Sequence, residues 1–377
     1  MSNRAARRHA ARSPVESRDT TVIATAPTAP TAEPEALVVT HYFDADEIPD
    51  SHRPMTVRLT GRRIGTHGTR DRQDTFTQED RVDGLLPGSG PASVTSWIYG
   101  LAPGEWSVTA EMLGSDDRRA RRAHGTPIRP ARWSWRRWAL SADAPHPVKT
   151  RWALLAPLAR VPGVVPGIWP ALGVISIVGA LVMERVMLPH ENVTTDVPLA
   201  VSLLALLAGL IGAKIWYAVL HPGRWRTALL GGWAVDGFLV VAPVVAVAAL
   251  LALGLPVAAF LDAVTPGLFL AVAIGRIGCF LAGCCAGRVT VSRFGVWSSD
   301  RTVGARRIPA QIFESGVGLA IASVAALVIL VHAPRIDGAI FVGALAVYFV
   351  ARQSLLRLRA ERRDFLWRRT ATVALNG

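Results

Sequence analysis

Six stretches of about twenty mostly apolar residues, all after Val164, decide what this chain can fold into. They fall near 164–188, 197–220, 229–253, 256–275, 308–332 and 337–357. Twenty residues of α-helix cover ~30 Å, the thickness of a bilayer's hydrocarbon core. In hydrocarbon every backbone N–H and C=O must be satisfied within the protein, which selects helices for isolated spans of this length. Residues 164–357 are therefore expected to form an α-helical polytopic membrane bundle. The interval 276–307 carries Gly, Cys, Ser and six Arg residues, and it reads as a polar loop between the fourth and fifth spans.

Ahead of the spans the chain changes character. Residues 1–35 mix Arg with an Ala/Thr/Pro tract and hold too little apolar surface to fold, so a disordered tail is expected. Residues 36–114 read as a small β-rich domain, with a sandwich as one candidate architecture. Runs rich in Val, Thr and aromatics (Leu37–Phe43, Met55–Leu59, Asp74–Val82, Val94–Ile98 and Trp106–Ala110) are separated by turns such as Pro87-Gly88 and Pro103-Gly104. Trp106, Val108 and Ala110 alternate with Ser107 and Thr109, the period of a strand with one buried face. Residues 115–163 read as a basic linker in which Trp133, Trp135, Trp138 and Trp152 are threaded among arginines. Such a mixture suits a lipid headgroup layer; the alternative is that the tryptophans pack on the β domain. A basic tail is expected over 358–377.

The net charge of +13 is carried almost wholly by Arg. Because that charge lies beside apolar spans and no nucleic-acid module accompanies it, anionic lipid is the expected partner and nucleic acid is not. Cys279, Cys284 and Cys285 are too close together to staple a fold with disulfides, and their spacing is not that of a zinc knuckle. No metal or cofactor is expected from them; they read either as reactive thiols or as small packing residues. Met1–Thr20 lacks an apolar signal core, so insertion is expected to begin at an internal span.

A charge inside a span costs about 3 kcal/mol on insertion scales and needs a reason. Lys214, Asp236, Asp262, Arg276, Glu314 and Arg352 are the charges in question. Each could simply tie helices together; jointly they point to a polar cavity. Tyr348 and Arg352 are four apart and share a helix face, as do Gln311 and Glu314, three apart. Arg276 lies between Gly275 and Gly278, which permit close approach. Guanidinium groups at 276 and 352 are suited to fork onto a lipid phosphate, since they stay charged in apolar surroundings.

These residues also carry a resemblance. The run Gly275-Arg-Ile-Gly-Cys-Phe-Leu-Ala-Gly-Cys-Cys-Ala-Gly-Arg288 resembles the signature loop of prolipoprotein diacylglyceryl transferases, in a variant branch reading GCFLAGCC instead of GNFINGE. Ile308-Pro-Ala-Gln-Ile-Phe-Glu314 resembles the family's HPSQLYE segment, and Gly212-Ala-Lys-Ile-Trp-Tyr217 its GGRIGY segment. Gly338-Ala339, Tyr348 and Arg352 match the spacing of GYGAFR. The four blocks keep the family's order over most of 197–357.

The resemblance implies a transferase of the bacterial cytoplasmic membrane. It would move the diacylglyceryl group of phosphatidylglycerol onto the thiol of a lipobox cysteine in a prolipoprotein signal peptide, with glycerol phosphate leaving. By position it implies Asp236, Arg276, Tyr348 and Arg352 as catalytic residues. Gly275, Gly278, Arg288, Gln311, Glu314 and Lys214 would contact substrate, and no cofactor is involved. Asp236 falls where the family carries a histidine, either as a base or as a structural acid. Cys279 and Cys284 replace the loop's Asn and Glu, Phe313 replaces a Tyr, and the family's last span finds no match after Arg352. Two other functions stay open: another phospholipid-using transferase, or a non-catalytic lipid-binding anchor for the β domain. Orientation is contested as well. The family sets its loop on the outer face, whereas the basic segments, including the Arg224–Arg226 turn, put it in the cytoplasm by the positive-inside rule.

Overall fold

The computed structural model describes residues 35–47, 55–65, 74–113, 125–221, 232–331 and 336–360. The expected disordered tail, apart from residue 35, lies outside these residues, as do the Arg224–Arg226 turn and positions 361–377 of the expected basic tail.

Five long strands build the N-terminal body: β1 (Glu35–Asp44), β2 (Met55–Arg63), β3 (Thr75–Val82), β4 (Pro91–Leu101) and β5 (Glu105–Leu113). Four contain whole one of the runs read from the sequence, and β3 holds the fifth run except Asp74. In β5 the alternation holds as written, with Trp106, Val108 and Ala110 buried between more exposed neighbours. Short strands follow: β6 (Thr126–Pro127), the hairpin β7 (Ala131–Ser134) with β8 (Ala139–Ala142), then β9 (Val148–Lys149) and β10 (Arg151–Trp152). One sheet runs β3-β2-β5-β6, with β9 also on β5. Leu37, Val39, Phe43, Val57, Leu59, Val94 and Trp106 come from both sheets into a single core.

The other sheet holds the main surprise of the fold. Its order is β10-β1-β4-β12-β11, where β11 (Val296–Ser299) and β12 (Val303–Arg307) come from the loop after the fourth span. β12 pairs antiparallel with β4 in the register Val303↔Val94 and Gly304↔Ser93. Val303 and Ala305 enter the N-terminal core as a result. The sheet body and this loop therefore share one end of the helix bundle.

Among the described residues, six helices are long and apolar enough to cross a membrane. They are α1 (Ile168–Met187), α2 (Val197–Leu220), α3 (Val235–Ala252), α4 (Val257–Ala282), α5 (Ala310–Val331) and α6 (Ala339–Leu356). α4 packs on α1 and α5, and α6 leans on α5. The α1–α4 crossing is tight: a Cβ at Gly267 would lie 2.5 Å from the Ala180 carbonyl oxygen. α2 and α3 pack mainly on each other.

The fourth span corrects the sequence reading. It was expected to end near residue 275, yet α4 continues to Ala282, so Arg276 and Cys279 lie in helix and not in loop. The arginine is tolerated because it meets a carboxylate on α5 (below). The helix stops at Gly283, whose φ of 68° is the left-handed C-cap conformation that glycine adopts without strain.

The Trp-rich hairpin joins sheet to bundle. Trp133 stacks on Trp297 of β11 with ring centroids 4.6 Å apart, and Trp138 stacks on Phe280 of α4 at 5.9 Å. The Trp138 indole N–H donates to the Trp297 carbonyl at 3.1 Å. Trp135 and Trp152 remain exposed. Trp133 and Trp138 thus pack, but on the loop and α4 and not on residues 36–114, while Trp135 and Trp152 keep surfaces that suit a headgroup layer.

Candidate functional site

Three of the six charges expected inside spans meet at one point. Glu314 on α5 is 2% exposed and receives two guanidinium groups from two other helices. Arg276 of α4 places Nε 2.5 Å from Glu314 Oε2, and Arg352 of α6 places Nη1 3.8 Å from the same oxygen. The Arg352 Nη1 also donates to the Tyr348 hydroxyl at 3.2 Å. Tyr348 is held edge-on against Phe269 of α4, with ring centroids 5.4 Å apart. The four-residue spacing of Tyr348 and Arg352 works as the helix period requires.

This contact is ionic in character. Glu314 Oε1 has no hydrogen-bond partner among the described residues. Two cations and one anion leave the group with a net positive charge in a partly dry setting, where charges act over longer range than in water. The Arg276 and Arg352 side chains remain 17% and 23% exposed.

The other three charges go elsewhere. Asp262, fully buried, accepts the backbone N–H groups of Gly338 and Phe341 at 2.7 and 2.8 Å and so caps α6, which carries Arg352. Lys214 lies over the Trp233 ring at 4.4 Å and donates to the Gly232 carbonyl at 3.4 Å. Asp236 stands exposed in the first turn of α3. Asp236 and Lys214 thus belong to the α2–α3 pair, and the structure does not bring them to the arginines.

The remaining expected residues frame the cluster. Gln311 donates from Nε2 to the Cys284 carbonyl at 2.9 Å, tying α5 to the loop. Gly278 faces Leu172 of α1, while a Cβ at Gly275 would meet open space. Arg288 donates from Nε to the Arg359 carbonyl at 3.2 Å, which fastens the loop to the end of α6. At Gly287 beside it, a Cβ would collide with the Ile308 carbonyl oxygen at 1.9 Å, so only glycine fits that crossing. A cavity of about 330 Å³, lined in part by Trp97, Tyr99, Val161, Val164 and Arg301, opens between β4 and the loop.

Sequence spacing did not foresee the thiols. The sulfurs of Cys279, Cys284 and Cys285 all lie within 4.8 Å of one another. Two left-handed residues, Gly283 at φ 68° and Cys285 at φ 55°, turn the chain back over the last turn of α4. The Cys284 N–H closes that turn on the Cys279 carbonyl at 3.0 Å. Hydrogen bonds with Cys279 and among the thiols push Cys284 above and Cys285 below the ordinary thiol value, so the sulfurs share one set of protons. Arg359, only 8% exposed, was also missed. So was Glu184 in the first span, whose carboxylate accepts the Ser202 hydroxyl at 2.8 Å. An acid inside an apolar run was the available signal for Glu184.

Comparison with known proteins bears on the helical half. A family described as prolipoprotein diacylglyceryl transferase matches residues 167–375. The phosphatidylglycerol–prolipoprotein diacylglyceryl transferase 2 of Clostridium perfringens (strain 13 / Type A) is 33% identical over 127 residues, covering 30% of this chain and 48% of that protein. The phosphatidylglycerol–prolipoprotein diacylglyceryl transferase of Clostridium tetani (strain Massachusetts / E88) is 45% identical over 58 residues, 15% of this chain and 23% of that protein. The chain therefore spans about half the length of one curated relative and about a quarter of the other. With the family matched across more than half of its residues, six apolar helices in place and a cationic cluster where the motifs fall, this chain belongs to the prolipoprotein diacylglyceryl transferase family.

Proposed function

We propose that the protein transfers the diacylglyceryl group of phosphatidylglycerol to the thiol of a lipobox cysteine in a prolipoprotein signal peptide, at the inner membrane of a bacterium. One observation carries this reading: Arg276 and Arg352, from different helices, converge on a single buried carboxylate. Glu314 keeps the guanidinium groups from repelling each other and fixes where they point. A phosphodiester headgroup entering from the bilayer meets their net positive charge.

In the reaction the acceptor sulfur forms a bond to the glyceryl carbon that carries the phosphate. The carbon–oxygen bond breaks, and glycerol phosphate departs with the bonding electrons and, finally, the thiol proton. Negative charge grows on the leaving phosphate, and Arg276 and Arg352 stabilise it there, the most effective place for a fixed positive group. Tyr348 holds Arg352 in position. Gln311 and Arg288 maintain the loop.

The reading sets the sheet body and loop on the outer face, where precursors emerge. The positive-inside bias opposes this, but several loop arginines are taken up by the fold. Arg301 donates to the Ala282 carbonyl at 2.9 Å, and Arg307 pairs with Asp300 at 2.8 Å. Labelling Cys284 in intact cells with a membrane-impermeant thiol reagent tests the orientation; protection from outside, with labelling after lysis, defeats it. The activity is tested by incubating the purified protein with labelled phosphatidylglycerol and a lipobox peptide. Thioether-linked diacylglyceryl peptide is expected, and its absence beside an active control transferase would leave a lipid-binding anchor.

A further inference from the structure

We propose that Cys279, Cys284 and Cys285 together hold one thiophilic cation of the Zn2+ type, and that its open fourth position takes the acceptor thiol. This inference rests on the transferase reading for the identity of the fourth ligand. The three-sulfur site stands on geometry alone.

The three sulfurs already lie within 4.8 Å of one another. Tetrahedral Zn–S bonds of ~2.3 Å place sulfurs ~3.8 Å apart, so a shift of about 1 Å completes the site. Rotation about the cysteine side-chain bonds covers that distance without moving the helix. The surroundings keep the three residues together. Cys279 is fixed by the last turn of α4, the Cys284 backbone closes on it at 3.0 Å, and Gln311 grips the Cys284 carbonyl at 2.9 Å. Cys285 holds a left-handed φ of 55°, unusual for any residue but glycine. All three side chains are only partly buried, which leaves room for a fourth ligand.

Ligand chemistry agrees. Three thiolates select a soft cation, and three protein ligands with one open position is the arrangement of catalytic zinc sites. Three thiolates and a divalent cation leave one negative charge. Arg276, three residues before Cys279 on one helix face, and Arg359, held beside the loop where the Ala360 N–H meets the Ala286 carbonyl at 3.0 Å, offset it.

The site supplies what the arginine cluster lacks. Arg276 and Arg352 serve the leaving phosphate, and Glu314 is engaged by both, so the acceptor thiol still needs a means of ionising. A thiol that joins a divalent cation gives up its proton to solvent and stays nucleophilic. Its sulfur then attacks the glyceryl carbon, the carbon–oxygen bond breaks toward phosphate, and the departing monoester takes a proton from solvent. The product thioether is a weak neutral ligand and dissociates. No electrons are exchanged with an outside reagent.

The test uses the full chain in detergent, with thiols reduced and Co2+ as a spectroscopic probe. One equivalent of Co2+ is expected to give a near-ultraviolet thiolate-to-cobalt absorption. Cys279→Ser, Cys284→Ser and Cys285→Ser should each weaken binding roughly tenfold or more while melting like the parent protein. A lipobox peptide with cysteine should intensify the band; the same peptide with serine in that position should not. Absence of the band in reduced protein, binding undiminished in all three variants, or identical responses to the two peptides would overturn the inference. These readouts need no turnover. Failure here leaves the transferase reading to its own assay, and failure of that assay leaves the metal measurement intact.

Discussion

In the sheet body the most deeply buried side chains are large and apolar: Trp106, Phe43, Leu37 and Leu59 fill the space between two sheets. In the bundle many large apolar side chains, such as Val178, Leu204 and Leu239, look outward, and Asp262, Gln311 and Glu314 are buried alongside Leu250 and Phe269. Water drives the first arrangement, since apolar surface removed from it stabilises the fold by roughly 25 cal/mol per Å². Lipid reverses the preference, because hydrocarbon is no less comfortable for leucine than another helix is. Buried polar groups occur in both halves, but in the bundle, where hydrocarbon offers a charge no partner, a buried charge is the expected place to look for chemistry.

The sharpest way to break this comparison is to remove a buried charge from the bundle. Arg276→Ala should lower kcat/KM for lipid transfer about 1000-fold, since on the proposed reading it removes a charge that serves the leaving phosphate and leaves Glu314 half-paired. Insertion, read by membrane fractionation, should not change; normal turnover would refute the cluster's role. The matching change in the sheet body is Trp106→Ala, expected to cost about 3–5 kcal/mol of stability by emptying the core. Its readout is the midpoint of denaturant unfolding followed by tryptophan fluorescence, and a shift below about 1 kcal/mol would mean that the core is not what holds the sheets together.

Acid probes the same body more gently. His41 is buried, and burial together with the nearby Arg129 charge lowers its pKa from 6.5 to about 4. Between those values the unfolded chain binds a proton that the folded one refuses. Stability is therefore complete above pH 6.5 and declines as the pH falls toward 4, by up to about 3 kcal/mol. His41→Gln should flatten that slope, and an unchanged slope would assign the acid sensitivity to other groups. The smallest effect is expected at Asp236. Exposed on α3, apart from the arginines, it should lose less than about tenfold in transfer when changed to Asn; a loss like that of Arg276→Ala would restore it as the base implied by its position in the family's motif.

Much of this was legible in the sequence. Twenty-residue apolar runs state their own length requirement, and helical period put Tyr348 with Arg352 and Gln311 with Glu314. The end of the fourth span was not legible, because an arginine looks like a boundary until its partner on another helix is known. The thiol trio escaped for a related reason. Spacing rules for metal ligands assume familiar turns, and here two consecutive left-handed bends around Cys284 bring the sulfurs together. The pairing of β12 with β4 joins segments far apart in the chain, and a strand as short as Val303–Arg307 carries too little pattern to announce such a distant partner. Asp236 shows the converse: its motif position was legible, while its place in the α2–α3 pair was not.

The pairing of β12 with β4 also has a bearing on how the protein is made. A strand on the rim of the first-synthesised body must wait, its hydrogen-bonding groups open, while four spans enter the membrane and the segment that completes it leaves the ribosome. Open strand edges invite the wrong neighbour. Maturation therefore has a vulnerable interval whose length is set by insertion of the first four helices, and anything that delays insertion lengthens the exposure of that edge.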